Sequence, residues 1–267
     1  MRQILAIMLL VALAACSRPT PNTPVLAVSI EPQRHLLEAI AGDYAQVVSI
    51  MPQSANPEAF EPGMEQMKSL ETAAAYFRVG TLPFETNITR QFPGVKTVDT
   101  PCGELRENDP HIWSSLANAR QQATVMCDEL CKMEPSRSQY FTARRDSLMA
   151  VLHAADSLIH SRLDSLSCRE FFVWHPSLTY FASDYGLRQL AFESHQKETS
   201  AHDMKERVNA AQNSCARVFF CQKQFDSRAA SEVCRDLNAT MVEVDLMSYD
   251  FVKELINVAN TLYEHSK

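Results

Sequence analysis

The chain has 267 residues, 46% of them hydrophobic, and a net charge of −7. That length supplies core for one large domain or two small ones, and the acidic balance argues against nucleic acid as a partner while favouring cations. Only six glycines occur, and none falls in a Gly-x-x-x-x-Gly-Lys, Gly-x-Gly-x-x-Gly or Gly-x-Ser-x-Gly run, so nucleotide hydrolysis, dinucleotide chemistry and hydrolase-elbow chemistry have no support.

Residues 1–15 read as an export signal, with Arg2 as the positive end and Ile4 to Leu13 as the apolar core. Ten apolar residues are too few to cross a bilayer, which takes about 20. Leu13-Ala14-Ala15-Cys16 looks like a bacterial lipobox, in which Cys16 is lipidated and becomes the first residue. Ser17 to Pro24 carries three prolines and suits an extended tether. Removing residues 1–15 takes Arg2 away and leaves 252 residues with a net charge of −8. Seven cysteines then remain besides Cys16. They cannot all pair within the chain, and no connectivity follows from their spacing. Cys127 and Cys131, four apart on an expected helix, read as small core residues.

The first half alternates. Strands are expected at Val25–Ile30, Gln46–Met51, Tyr76–Val79 and Val95–Val98. Helices fall at Pro32–Ile40, around Met64, Met67 and Leu70, and at Phe84–Phe92. A further helix carries Leu116, Ala119, Ala123, Met126 and Leu130. Such alternation indicates βαβ units and a mostly parallel sheet. Ser136 to Leu166 then contains neither glycine nor proline. Leu148, Leu152, Ala155, Ile159, Leu163 and Leu166 recur at three and four, which predicts one long helix with a single apolar stripe. About 30 helical residues span about 45 Å, enough to bridge two lobes as a rigid strut. After it come strands at Phe171–Trp174, Gln189–Phe192, Arg217–Cys221 and Met241–Val244, and a last helix from Tyr249 to Tyr263. The expected architecture is α/β: two lobes, each a four-stranded, mostly parallel sheet with flanking helices. They are residues 25–135 and 167–267, joined by the helix 136–166.

The densest stretch is Glu170 to Gly186. A continuous apolar run, Phe171 to Trp174, reads as a strand buried on both faces. His175 follows at once. Pro176 then suits a first helical turn, and Gly186 ends the helix. An imidazole at the carboxyl end of a buried strand stands where open α/β sheets bind ligands. Other strand ends carry matching groups. The loop after strand two holds Asn56-Pro57-Glu58-Ala59-Phe60-Glu61-Pro62, the loop after strand four holds Asp109-Pro110-His111-Ile112-Trp113, and strand eight ends in Asp245. Glu58, His111, His175 and Asp245, two from each lobe, would face one crevice. Two imidazoles and two carboxylates suit a divalent transition metal. His195 and His202 share the loop Glu193–Asp203 and rank lower. Glu193 could approach the site, Cys221 reads as a buried thiol, and His153 and His160 as solvated positions on the strut.

These segments resemble the zinc- and manganese-specific solute-binding proteins of bacterial ABC importers. Members carry a Pro-His-x-Tyr-Glu-Pro loop, an Asp-Pro-His-x-Trp segment, a His-x-x-x-x-Tyr-Phe-x-x-x-Tyr-Gly segment and a late Asp. Here these correspond to residues 57–62, Asp109 to Trp113, His175 to Gly186, and Asp245. The resemblance implies two lobes on one rigid helix and capture of zinc, or alternatively manganese or iron. It also implies delivery to a membrane permease with its cytoplasmic ATPase. The protein would be no enzyme, a monomer, and held at the periplasmic side of the cell envelope by its lipid. Two departures stand out: Glu58 occupies a position where the family usually has histidine, and Asp99 to Asn108 holds no histidine. A metal-dependent hydrolase with Glu61 as base is the rival reading.

Overall fold

A computed structural model of the protein describes residues 23–100, 106, 108–195, 199–225 and 227–266. The export signal, Cys16 and Cys102 lie outside the described residues. The β-favouring runs form two parallel sheets. Val25–Val28 (β1), Gln46–Ser49 (β2), Ala73–Arg78 (β3) and Thr97–Asp99 (β4) pair in the order β2-β1-β3-β4. Glu170–Val173 (β5), Arg188–Ala191 (β6), Val218–Gln222 (β7) and Thr240–Val244 (β8) pair in the order β6-β5-β7-β8. Four strands before the long helix and four after it match the sequence pattern. In each sheet the chain leaves the first strand to one side and returns on the other. The carboxyl ends of β1 and β5 are therefore switch points, beside which crevices open.

The helices are Glu31–Ala41 (α1), Met64–Glu71 (α2), Pro83–Gln91 (α3), Leu116–Met133 (α4), Ser138–Leu163 (α5), Thr179–Asp184 (α6), Ala201–Ala211 (α7), Ser227–Asp236 (α8) and Phe251–Glu264 (α9). Gly42 ends α1 at φ +58°, a conformation that glycine adopts without strain. The strut is α5, 26 residues long, or about 39 Å. It starts later than the expected Ser136 because Pro135–Arg137 first makes a 3-10 turn. Phe141, Leu148, Leu152, Ala155, Ile159 and Leu163 on α5 are all buried, and each large apolar side chain so buried contributes about 1.5–3 kcal/mol. One apolar cluster runs from Leu26, Val28 and Phe77, through α4 and α5, to Phe171, Val173, Phe220 and Leu255. The strut is thus packed into both lobes and is no free linker.

Two local expectations change. The helix after His175 begins at Thr179, three residues beyond Pro176. The Thr179 amide donates to Asp109 Oδ2 (3.3 Å) and the Leu178 amide to Gln189 Oε1 (3.1 Å). Side chains from elsewhere in the fold take donors that a local turn would otherwise have to satisfy. The cysteines also resolve in part: Cys168 and Cys215 form a disulfide across the entrances of β5 and β7, while Cys127, Cys131, Cys221 and Cys234 stay outside any disulfide.

Candidate metal centre

Four side chains converge at the carboxyl ends of the sheets. Glu58, His111, His175 and His195 each offer one ligand atom, and these four atoms lie within 4.8 Å of one another. A tetrahedral zinc with bonds near 2.1 Å needs its donors about 3.4 Å apart. The donors therefore close on an ion with shifts of an ångström or so. Among the described residues no other group of three or more histidine, cysteine or acidic side chains gathers this way.

Each donor is held by its own local device. Glu58 follows Pro57 in the loop after β2, and its amide donates to Asn56 Oδ1 (2.9 Å), fixing a tight turn. Phe60 packs edge-on against Phe84 at 5.1 Å and pins the same loop to the N-terminal lobe. His111 enters a 3-10 turn, Ile112–Ser114. Its backbone amide (2.8 Å) and its Nδ1 (2.6 Å) both meet Asp109 Oδ1, which leaves Nε2 for a metal. Asp109 is wholly buried. Its backbone oxygen accepts from Tyr180 Oη (3.0 Å), so this carboxylate segment also ties the N-terminal lobe to α6. His175 continues β5, ring-stacked on Phe225 at 4.4 Å. Its carbonyl accepts from Gln222 Nε2 (2.9 Å), its Nδ1 faces Glu193 Oε2 (3.5 Å), and its Nε2 faces Glu58 Oε1 (3.0 Å). His195 lies just beyond β6 and sets Nδ1 2.6 Å from the same Glu58 oxygen.

The electrostatics follow from that crowding. Burial alone would raise the Glu58 carboxyl. Its hydrogen bonds to His175 and His195 and the nearby imidazole charges outweigh burial and hold it well below the usual range. Burial likewise works to lower His175, but hydrogen bonds and charges from Glu193 and Glu58 push it above the ordinary imidazole value. For Asp109 burial again pulls upward, and the His111 charge and hydrogen bonds win, keeping it ionised at lower pH than usual. Without metal, protons sit between donors that an ion would otherwise bridge.

Three of the four expected residues, Glu58, His111 and His175, are brought together. Asp245 lies outside the set. Its Oδ2 accepts from Gln53 Nε2 (2.5 Å) and its Oδ1 from Gln224 Nε2 (3.0 Å), with Lys223 Nζ 3.9 Å away. His195, ranked low from sequence, takes the fourth corner, and Glu193 touches His175 without joining the donors. The signal was present: Glu193-Ser194-His195 directly follows a strand, as His175 does. His202 is exposed beside Glu206, and His160 is exposed beside Asp164. His153 is exposed, Cys221 is buried, and both lie outside the set. Glu61 is exposed and is not among the converging groups.

The chain is similar to known proteins along most of its length. Residues 26–264 match the family model described as zinc-uptake complex component A, periplasmic. A protein of Chlamydia muridarum named for metal binding is 26% identical over 251 residues, covering 90% of each chain. The manganese-binding lipoprotein MntA of Halalkalibacterium halodurans is 23% identical over 179 residues, 61% of this chain and 59% of that one. A crystal structure of ZnuA superposes with a TM-score of 0.85 at 28% identity, over 91% of this chain and 99% of that one.

Proposed function

The chain belongs to the ZnuA family of periplasmic zinc-uptake components, and on that footing we propose that it captures zinc between its lobes and delivers it to an ABC importer. The observation that carries this reading is the convergence of Glu58, His111, His175 and His195. Three imidazoles and one carboxylate make a four-donor shell that fits tetrahedral zinc. Zinc also stands above manganese in the general affinity order for such donors. Manganese, which favours more oxygens, is the second reading. It is kept because a manganese-binding relative matches over much of the chain.

In this reading Asp245 is a clasp. By accepting from Gln53 it holds the loop that carries Glu58 against the C-terminal lobe. Asp109 and Glu193 orient His111 and His175 through the ring nitrogens that face away from the ion. The centre captures and releases without catalysing. Four protein donors fill a tetrahedron and leave no vertex for the water that a hydrolytic zinc keeps, and Glu61 is not among the groups that converge there. Cys16 carries the lipid that tethers the protein to the membrane beside a permease, which a cytoplasmic ATPase drives.

Metal analysis of the protein purified without chelator, followed by competitive titration with zinc and manganese, tests this reading. Roughly one zinc per chain, bound more tightly than manganese and weakened severely by His111→Ala or His175→Ala, is expected. Unchanged affinity in both variants would remove the site.

A further inference from the structure

His195 occupies the least supported corner of the cluster. β6 is an edge strand of its sheet. Beyond it the Phe192 and Glu193 amides donate to the Trp174 carbonyl at 3.2 and 2.9 Å, and Ser194 forms a single β-bridge. An open cavity of about 420 Å³ lies between β6 and α7, lined in part by Leu190, Phe192, Arg207 and Asn213. An unpaired edge leaves carbonyls that need donors.

One side chain from α7 meets that need. Arg207 Nη1 donates to the Ala191 carbonyl (3.3 Å) and the Glu193 carbonyl (2.7 Å), and its Nη2 donates to Ser194 Oγ (2.7 Å). The three contacts cover every residue but one between the strand end and His195. The exception, Phe192, is buried and held by the Trp174 carbonyl. The guanidinium is a rigid planar fork, and hydrogen bonds from a charged donor are about twice as strong as neutral ones. The geometry points to Arg207 as the positioning residue that ties the segment after β6 to α7 and fixes His195 for metal capture. This rests on the reading of His195 as a ligand.

Two consequences separate a positioning role from a merely structural one. Arg207 acts on the metal through His195, so its removal matters only while His195 is present. Arg207→Lys keeps the charge and one or two of the donors, so it lies between wild type and Arg207→Ala. Losing an outer partner of a metal ligand typically costs about 10–100-fold in affinity.

The test is a double-mutant cycle on the full chain, with zinc affinity by competition and the visible spectrum of the cobalt-loaded protein as readouts. Arg207→Ala is expected to weaken zinc about tenfold or more and to reduce the intensity of the tetrahedral cobalt bands. Arg207→Lys restores part of both. In a His195→Ala background the further loss on Arg207→Ala shrinks below about threefold, as expected for coupled residues. Equal losses in the two backgrounds would overturn the assignment, as would wild-type affinity in Arg207→Ala when His195→Ala is weakened. Wild-type affinity and an unchanged cobalt spectrum in His195→Ala itself would instead remove His195 from the shell, and the role of Arg207 with it. Arg207→Lys supplies the measurement should Arg207→Ala fold poorly.

Discussion

Asp109→Asn isolates the support of one donor without touching the metal shell. In the native protein this wholly buried carboxylate accepts from the His111 amide, from His111 Nδ1 and from the Thr179 amide. Asparagine has one side-chain oxygen. Turned toward His111, that oxygen preserves two of the contacts but sets its NH2 group against the Thr179 N–H, so two buried donors face each other. Leaving a buried donor without a partner costs about 1–3 kcal/mol of stability. The lost negative charge also makes His111 a poorer ligand, for which about 10–100-fold in metal affinity is typical. The variant should therefore fold, melt at a lower temperature, and bind zinc at least tenfold more weakly. A Tyr180→Phe control removes the hydroxyl that donates to the Asp109 carbonyl and accepts from the Arg106 amide, and it leaves the bonds of the Asp109 carboxylate in place. It should cost about 0.5–1.5 kcal/mol and leave zinc affinity nearly unchanged. Calorimetry and chelator competition on both variants give the two quantities separately. A folded Asp109→Asn protein with native zinc affinity would refute the idea that this carboxylate orients His111.

Acid should act on binding and stability with opposite signs at different groups. His175 is pushed above the ordinary imidazole value near 6.5, so zinc must displace a proton from it even above that pH. Affinity should begin to fall while the pH is still above 6.5 and keep falling as the pH drops through it. A flat titration from pH 8 to 6 would contradict this. The depressed carboxyls of Glu58 and Asp109 stabilise the metal-free fold above their ordinary range near pH 4, and that stability is lost as pH falls through their lowered values. The raised His175 contributes the reverse: its stability is present below about pH 6.5 and disappears as pH rises through its higher folded value. Glu58→His exchanges an oxygen donor for a nitrogen and removes a charge. Zinc should be retained and manganese weakened, which parallel titrations check, and improved manganese binding would argue against the four-donor shell. Asp245→Ala removes the acceptor of Gln53 Nε2, leaving only the Gln224 bond to the Gln53 carbonyl, and should loosen the Glu58 loop. Faster hydrogen exchange over residues 52–62 and faster zinc release are expected, and native exchange in that loop would sink the clasp. Reducing Cys168–Cys215, which are 47 apart in sequence, should cost about 4 kcal/mol on loop-closure grounds, read as a lower melting temperature with zinc stoichiometry preserved.

Local patterns in the sequence carried most of the architecture. Apolar β-favouring runs marked all eight strands, and the spacing of Leu148, Leu152, Ala155, Ile159 and Leu163 marked the strut, because burial leaves a period of two or near 3.6 that can be read without coordinates. Glu58, His111 and His175 were legible because strand ends in a parallel sheet face one edge. Tertiary structure decided which further side chain lies beside them. Asp245 and His195 both follow strands, and nothing local distinguishes them. Asp245 meets the amides of Gln53 and Gln224, one of them 192 residues away in the chain, and is occupied by them. His195 is carried to Glu58, 137 residues distant, by a segment that Arg207 hydrogen-bonds at Ala191, Glu193 and Ser194. The pairing of Cys168 with Cys215 and the delayed start of α6 under Asp109 have the same origin. Each depends on a partner brought near by folding, and a hydrogen bond or disulfide between distant residues leaves no periodicity in the chain.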